Sequence, residues 1–287
     1  MSTANSIVSS TANHPIGVEA RLDSVLLMNE EPPMPSAVTA TLTLAGRALQ
    51  KMKNSAGEQL FDILLMPVIF LLVFQYLFGG AFAGSTDNYL QYFLPGVLVV
   101  GAVTQTVSTG IAVNSDIVKG VFDRFRTMPF WQPAVLVGTM VADLGRYLFA
   151  LSFTAGLGMA LGYRPEAGAV GFILAILLLL AFSFSFAWIF TVVGVVAKKA
   201  ETLLTCSMLL MVLTFLSNVF VDSETMPGWM STIVDINPVS HAATAARGLM
   251  QGTVTAGQLL LVLLSSAVLV VIFAPLTMYL YNKRRRG

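Results

Sequence analysis

Residues 169–197 read AVGFILAILLLLAFSFSFAWIFTVVGVVA, with no charged side chain anywhere. At about 1.5 Å per residue, a helix of this length crosses the roughly 30 Å hydrocarbon core of a bilayer. Five further apolar runs flank it, at 60–78, 92–113, 134–161, 202–221 and 259–281. Asp62 marks the edge of the first, and Asp143 and Arg146 interrupt the third. The composition agrees. Of 287 residues, 56% are hydrophobic and 11% charged, whereas a soluble domain carries about 25% charged residues. Barrel strands would show short alternating segments instead. The expectation is an all-α integral membrane protein with six transmembrane helices.

Several function classes fall away. One cysteine excludes a disulfide framework and a cysteine-based zinc site. Two histidines, His14 and His241, cannot build a histidine-rich metal site, and a net charge of +1 offers nucleic acid no basic body. The first long apolar run starts near residue 60, too far in for a secretory leader. There is no Gly-x-x-x-x-Gly-Lys-Ser/Thr loop, no His-Glu-x-x-His helix and no Gly-x-Ser-x-Gly elbow. No catalytic, cofactor or metal residue is therefore expected on this chain.

Lys and Arg set the orientation of a membrane protein. Alternate segments between the runs hold 13 basic residues on one set and 2, Arg164 and Arg247, on the other. That asymmetry places both termini in the cytoplasm and supports the count of six, because dropping one span would mix the two sets. Residues 1–36, rich in Ser, Thr, Ala and Pro, read as a disordered cytoplasmic tail. Within 37–59, Val38, Leu42, Ala45, Leu49 and Met52 share one helical face. This reads as an amphipathic interfacial helix, or else a plain solvated one.

Two loops carry more than a return of the chain. The cytoplasmic loop 114–133 places Val118, Val121, Phe122 and Phe125 on one stripe and Lys119, Asp123 and Arg126 on another, before Met128, Pro129 and Pro133. An aromatic stripe with Arg124 and Arg126 beside it fits a knob seated in a partner's groove. It fits equally a helix lying in the headgroups. The outer loop 222–256 reads as two short helices. Trp229 suits the interfacial belt, and Asn237-Pro238 suits a helix start, with Asn as cap and Pro in the first turn. Val239, Ala242, Ala243, Ala246 and Leu249 then form a small apolar face. The pair either gates an outer opening or simply packs.

Within the spans, Asp143 and Arg146 are three apart on one face, about 9–12 residues into their run. Charges there face the bundle interior or a wet cavity, so the pair is either a structural ion pair or part of a pathway. Gly158 and Gly162 form a GxxxG pattern, which can mark close helix contact. Phe182, Phe184, Phe186, Trp188 and Phe190 spread around their helix; some are expected to face lipid, which is the default, while others could offer a wall to a greasy substrate. Cys206 reads as an apolar filler and His241 as a hydrogen-bonded structural histidine.

Three segments carry a resemblance: Phe93-Leu94-Pro95-Gly96, Phe122-Asp123-Arg124-Phe125-Arg126-Thr127-Met128-Pro129, and Asn237-Pro238-Val239-Ser240 continued by Arg247-Gly248-Leu249. In this order and placement, the chain over residues 38–287 resembles the membrane subunit of ABC-2 type ABC transporters. Within that family it is most similar to the daunorubicin-resistance (Drr-type) permeases. The resemblance implies that 60–287 is a six-span ABC-2 type domain paired with a second permease, identical or related. It implies a separate ABC ATP-binding subunit holding ATP and Mg. Lys119, Val121, Phe122, Arg124, Phe125, Arg126 and Met128 would form the loop that couples to it. Trp229, Asn237, Pro238 and Arg247 would belong to outer gate helices. The cargo would be a hydrophobic drug, antibiotic or lipid, exported across the bacterial plasma membrane. Lipid-linked glycan exporters share the fold. A proton-coupled transporter using Asp143 is a further alternative, which suits an acid beside an arginine poorly.

Overall fold

The computed structural model describes residues 39, 43, 46, 50, 65, 67–77, 79, 86–120 and 134–284. Among the described residues the chain is helical and has no strand. In chain order the helices are α1 (Pro67–Leu77), α2 (Thr86–Val118), α3 (Ala134–Ala160), α4 (Gly168–Val196) and α5 (Glu201–Phe215). A 3-10 turn at Ser223–Thr225 leads to α6 (Gly228–Ile236), α7 (Pro238–Gln251) and α8 (Ala256–Arg284). Four of these, α2, α3, α4 and α8, are long and apolar enough to cross a membrane, while α1 and α5 are shorter apolar helices. Thr39, Thr43, Gly46 and Gln50 are helical and exposed, and the Thr43 hydroxyl donates to the Thr39 carbonyl at 2.8 Å. The rest of 37–59, the tail 1–36 and loop residues 121–133 lie outside the described residues.

The uncharged run that decides the fold becomes the central helix. α4 packs against α2, α3, α5, α7 and α8. Most of its aromatics do not take the lipid-facing default; Phe184 is half-buried. Phe182, Phe186, Trp188 and Phe190 are all buried, with Phe186 only 3% exposed. Two-residue spacing spreads side chains around a helix. When neighbours surround that helix, they cover every side of it. The first half of α4 shows an open face at Val170, Ile173, Leu174 and Leu177, and Val196 at its far end is exposed as well.

Lipid tails are as apolar as leucine, so helices in a membrane associate through close packing rather than escape from water. α2 and α4 show this at their crossing. A Cβ added at Gly194 would lie 2.5 Å from the Gly110 carbonyl oxygen, and one at Gly110 would lie 2.5 Å from that of Phe190. The backbones touch because neither position has a side chain. Asn114, one turn further along α2, donates from Nδ2 to the carbonyls of Gly194 and Ala197 at 3.0 and 2.7 Å. It thereby satisfies carbonyls that the end of α4 leaves without intrahelical partners.

The GxxxG pattern in α3 divides into two jobs. A Cβ on Gly158 would meet Leu94 of α2 at 2.4 Å, so this glycine does mark a close helix contact. Gly162 lies past the helix end at φ +112° with open space around it, and there it turns the chain.

The capping expectation holds in α7. The Asn237 side chain accepts from the Val239 N–H at 2.9 Å, with Pro238 in the first turn. Val239, Ala242, Ala243, Ala246 and Leu249 are all buried, where α7 meets α2, α4 and α8. α5 and α8 lie at the periphery: Leu209 of α5 is 72% exposed and Val271 of α8 is 71% exposed.

Candidate functional site

The apolar run 202–221 is not one continuous helix. α5 stops at Phe215, and residues 216–222 follow an irregular path. Irregular backbone within apolar surroundings needs protein partners for its polar groups. These come from two directions. From α7, Asn237 Nδ2 donates to the carbonyls of Leu213 and Leu216, both at 2.7 Å. Arg247, 8% exposed, donates from its guanidinium to the carbonyls of Asn218 (3.0 Å) and Val219 (3.5 Å) and to that of Tyr92 (3.0 Å). From α2, the Tyr92 hydroxyl donates to the Asn218 carbonyl at 2.8 Å and the Tyr89 hydroxyl to that of Phe220 at 3.4 Å. The Asn218 backbone N–H meets Ser240 Oγ at 3.3 Å, and its side-chain amide meets Thr244 Oγ1 at 2.8 Å.

Two motifs 140 or so residues apart thus grip one segment. In Phe93-Leu94-Pro95-Gly96, Phe93 stacks with Tyr89 at 5.0 Å and with Phe74 of α1 at 5.5 Å. Leu94 fills the space beside Gly158. Gly96 admits Val219, whose carbonyl oxygen would stand 2.9 Å from an added Cβ. Phe220 then joins Phe74 at 5.0 Å and Phe215 at 5.1 Å. Tyr163, in the loop between α3 and α4, is fully buried near this hub. Burial, reinforced by Glu166 and opposed by Arg247, pushes its phenol up to about 12. It stays neutral, so it does not cancel the arginine's charge.

Below this hub, α1, α2 and α5 enclose an open groove of about 380 Å³. Phe70, Val97, Val100, Met211, Phe215 and Phe220 form its apolar walls. Three of its hydroxyls turn back on their own helices, Thr104 onto the Val100 carbonyl at 2.7 Å, Ser207 onto that of Leu204 at 2.7 Å and Thr214 onto that of Leu210 at 2.9 Å. The groove therefore offers an apolar face, within the roughly 300–1,000 Å³ range of drug-sized sites.

The sequence model of the ABC-2 type transporter matches residues 39–251. The chain belongs to this family. Over 285 residues, 99% of each chain, it is 52% identical to the daunorubicin resistance ABC transporter permease protein DrrB1 of Streptomyces coeruleorubidus. It is 23% identical over 190 residues to the probable doxorubicin resistance ABC transporter permease protein DrrC of Mycobacterium tuberculosis, covering 66% of this chain and 69% of that one. With DrrB of the same organism it shares 25% over 146 residues, 48% of this chain and 50% of that one. The chain is thus an ABC-2 type permease, a multi-pass protein of a bacterial membrane.

In this ABC-2 permease, Asp143 and Arg146 do share a face and pair at 3.2 Å. The pair is not alone. The Thr109 hydroxyl of α2 donates to Asp143 Oδ2 at 2.6 Å and contacts the Tyr147 hydroxyl. Arg146 reaches the Gln105 carbonyl at 3.4 Å, and Gln105 also lines the groove. Sequence reading missed Thr109, Tyr147, Tyr92 and Asn218. Tyr147 was visible as the next polar residue on the Asp143 face, and Ser217-Asn218 as a polar break in an apolar run. Of the coupling-loop residues, Lys119 is described and exposed, just past the end of α2. Val121, Phe122, Arg124, Phe125, Arg126 and Met128 lie outside the described residues. Trp229 is 67% exposed on α6, and Pro238 sits in the first turn of α7.

Proposed function

We propose that this permease exports an amphipathic drug-like compound along the groove between α1, α2 and α5, driven by a separate ABC ATP-binding subunit. The chain crosses the membrane six times, α1 and α5 supplying the two shorter crossings. Both termini are cytoplasmic, so the end carrying α6 and α7 faces outward. The orientation rests on the 13-to-2 division of Lys and Arg. A second permease copy, or a related one, closes the open side of the groove. ATP and Mg act on the partner, which contacts this chain through residues 119–128; this chain has no ATPase site of its own.

The groove itself carries this reading. It is apolar, large enough for a drug-sized molecule and walled by α5, whose carbonyl grips lie at its outer end. A motion delivered from the cytoplasm would swing such a helix about the Asn237–Arg247 hub. The names of the relatives suggest daunorubicin as the first cargo to try. The test is daunorubicin efflux from proteoliposomes with and without the ATP-binding subunit. ATP-dependent efflux that requires both proteins is expected. Efflux driven by a proton gradient with this chain alone would replace the reading with a secondary transporter.

A further inference from the structure

A second cavity, of about 290 Å³, lies on the other side of the same irregular segment. Phe215 and Phe220 face the groove, whereas Asn218 and Ser223 line this cavity. Asp235 of α6, His241 and Thr244 of α7 and Gln258 of α8 complete its polar wall. The structure corrects the reading of His241 as a hydrogen-bonded structural residue. Among the described residues, neither the His241 nor the Asp235 side chain makes a hydrogen bond or ion pair. The neighbours are already committed: Asn218 Nδ2 to Thr244, and Gln258 Oε1 to the Thr255 N–H at 3.0 Å.

The local charge has one sign. Residues 216–246 contain Asp222, Glu224 and Asp235 but no Lys or Arg, and the next cation, Arg247, is spent on backbone carbonyls. A concave site lined by one exposed carboxylate, Asp235, and by no lysine or arginine attracts positive ligands. Its remaining imidazole, hydroxyls and amide suit hydroxyl groups beside that charge. The volume falls just below the drug-sized range, so the cavity takes a headgroup rather than a whole amphiphile.

We infer that this cavity binds the hydroxylated, protonated-amine head of an amphipathic cargo, with Asp235 holding the amine and His241 a hydroxyl. This rests on the export reading: the cargo leaves the groove and presents its polar head to the cavity on the other side of residues 216–223. Asp235 and His241 are then specificity residues for the head, separate from the residues that carry the body.

The test uses the full-length chain in lipid nanodiscs, with glucosamine as probe and saturation-transfer NMR as readout. Glucosamine binds, and binding weakens as ionic strength rises. Glucose and the D235N variant each lower affinity about tenfold, the loss expected for one charged hydrogen bond. His241→Gln, which keeps the charge pattern, lowers the affinity of both sugars. No signal from glucosamine with the wild-type chain, or equal signals for D235N and wild type, overturns the site. Daunorubicin efflux is measured in parallel with the ATP-binding subunit present. Efflux without glucosamine binding sinks this inference alone. Glucosamine binding that responds to D235N, without efflux, supports the cavity and sinks the export reading.

Discussion

Arg247 stacks its guanidinium 3.8 Å from the centre of the Tyr92 ring and donates from Nε to the Tyr92 carbonyl at 3.0 Å. The same side chain reaches two carbonyls of the irregular segment after α5. One planar fork thus joins α7, α2 and the end of α5. A lysine keeps the charge but cannot match a fork of donors or stack as a plane. Arg247→Lys should lower stability by about 1–3 kcal/mol through carbonyls left unpaired. A thermal melt of the detergent-solubilised protein checks this. An unchanged melting temperature would remove Arg247 from the hub.

That hub also marks where sequence reading reached its limit. The run 169–197 was legible as a span because its length and lack of charge admit few alternatives. Asn237-Pro238 was legible because capping is local chemistry. The break in 202–221 was marked only by the polar pair Ser217-Asn218, and the segment is held off the helical path by Asn237, Tyr92 and Arg247, none of them sequence neighbours. The aromatics of α4 were misjudged for the same reason. Whether a ring faces lipid or protein depends on how many helices surround its own.

Asp143 and Arg146 pair at 3.2 Å with Thr109 and Tyr147 alongside. Removing one charge strands the other, so Asp143→Asn should cost about 3–5 kcal/mol. Replacing both, as Asp143→Leu with Arg146→Met, should recover most of that loss. Melting temperatures test the stability, and efflux tests the role. If the double variant regains both, the pair is structural. If it regains stability while export stays absent, the pair serves the pathway.

The α2–α4 crossing makes a sharper stability prediction. Gly194→Ala would set a methyl 2.5 Å from the Gly110 carbonyl oxygen, a backbone atom that cannot swing aside. Overpacking of this kind costs about 1–3 kcal/mol. Gly156→Ala in α3 is the control, because a Cβ there meets nothing within 4 Å. It should be neutral, or stabilising by up to about 1 kcal/mol from helix propensity. Equal melting temperatures for the two variants would contradict the close contact.

The aromatic loop gives a prediction about the partner. Phe122→Ala with Phe125→Ala removes the two large aromatic side chains while keeping Lys119, Arg124 and Arg126. Anchors of this type carry most of an interface's energy, and truncating one typically costs about 2 kcal/mol or more. Pull-down of the ATP-binding subunit should fall at least tenfold. Retention at the wild-type level would assign the loop to the membrane surface instead.

Pairing of two permeases can be tested through faces of equal exposure. Leu209 on α5 is 72% exposed and Val271 on α8 is 71% exposed, so accessibility alone gives neither an advantage. Of these two helices, α5 borders the groove and α8 does not. In a Cys206→Ser background, which removes the sole native thiol, cysteines are placed singly at the two positions. A disulfide needs Cβ atoms within roughly 3.5–4.5 Å, so mild oxidation in membranes reports a face-to-face approach. Leu209→Cys should give the cross-linked dimer and Val271→Cys should not, because α8 looks into lipid when α5 faces its counterpart. Cross-linking through Val271→Cys alone would place the grooves back to back, each open to the bilayer, and would leave the cargo without an enclosed route between two copies.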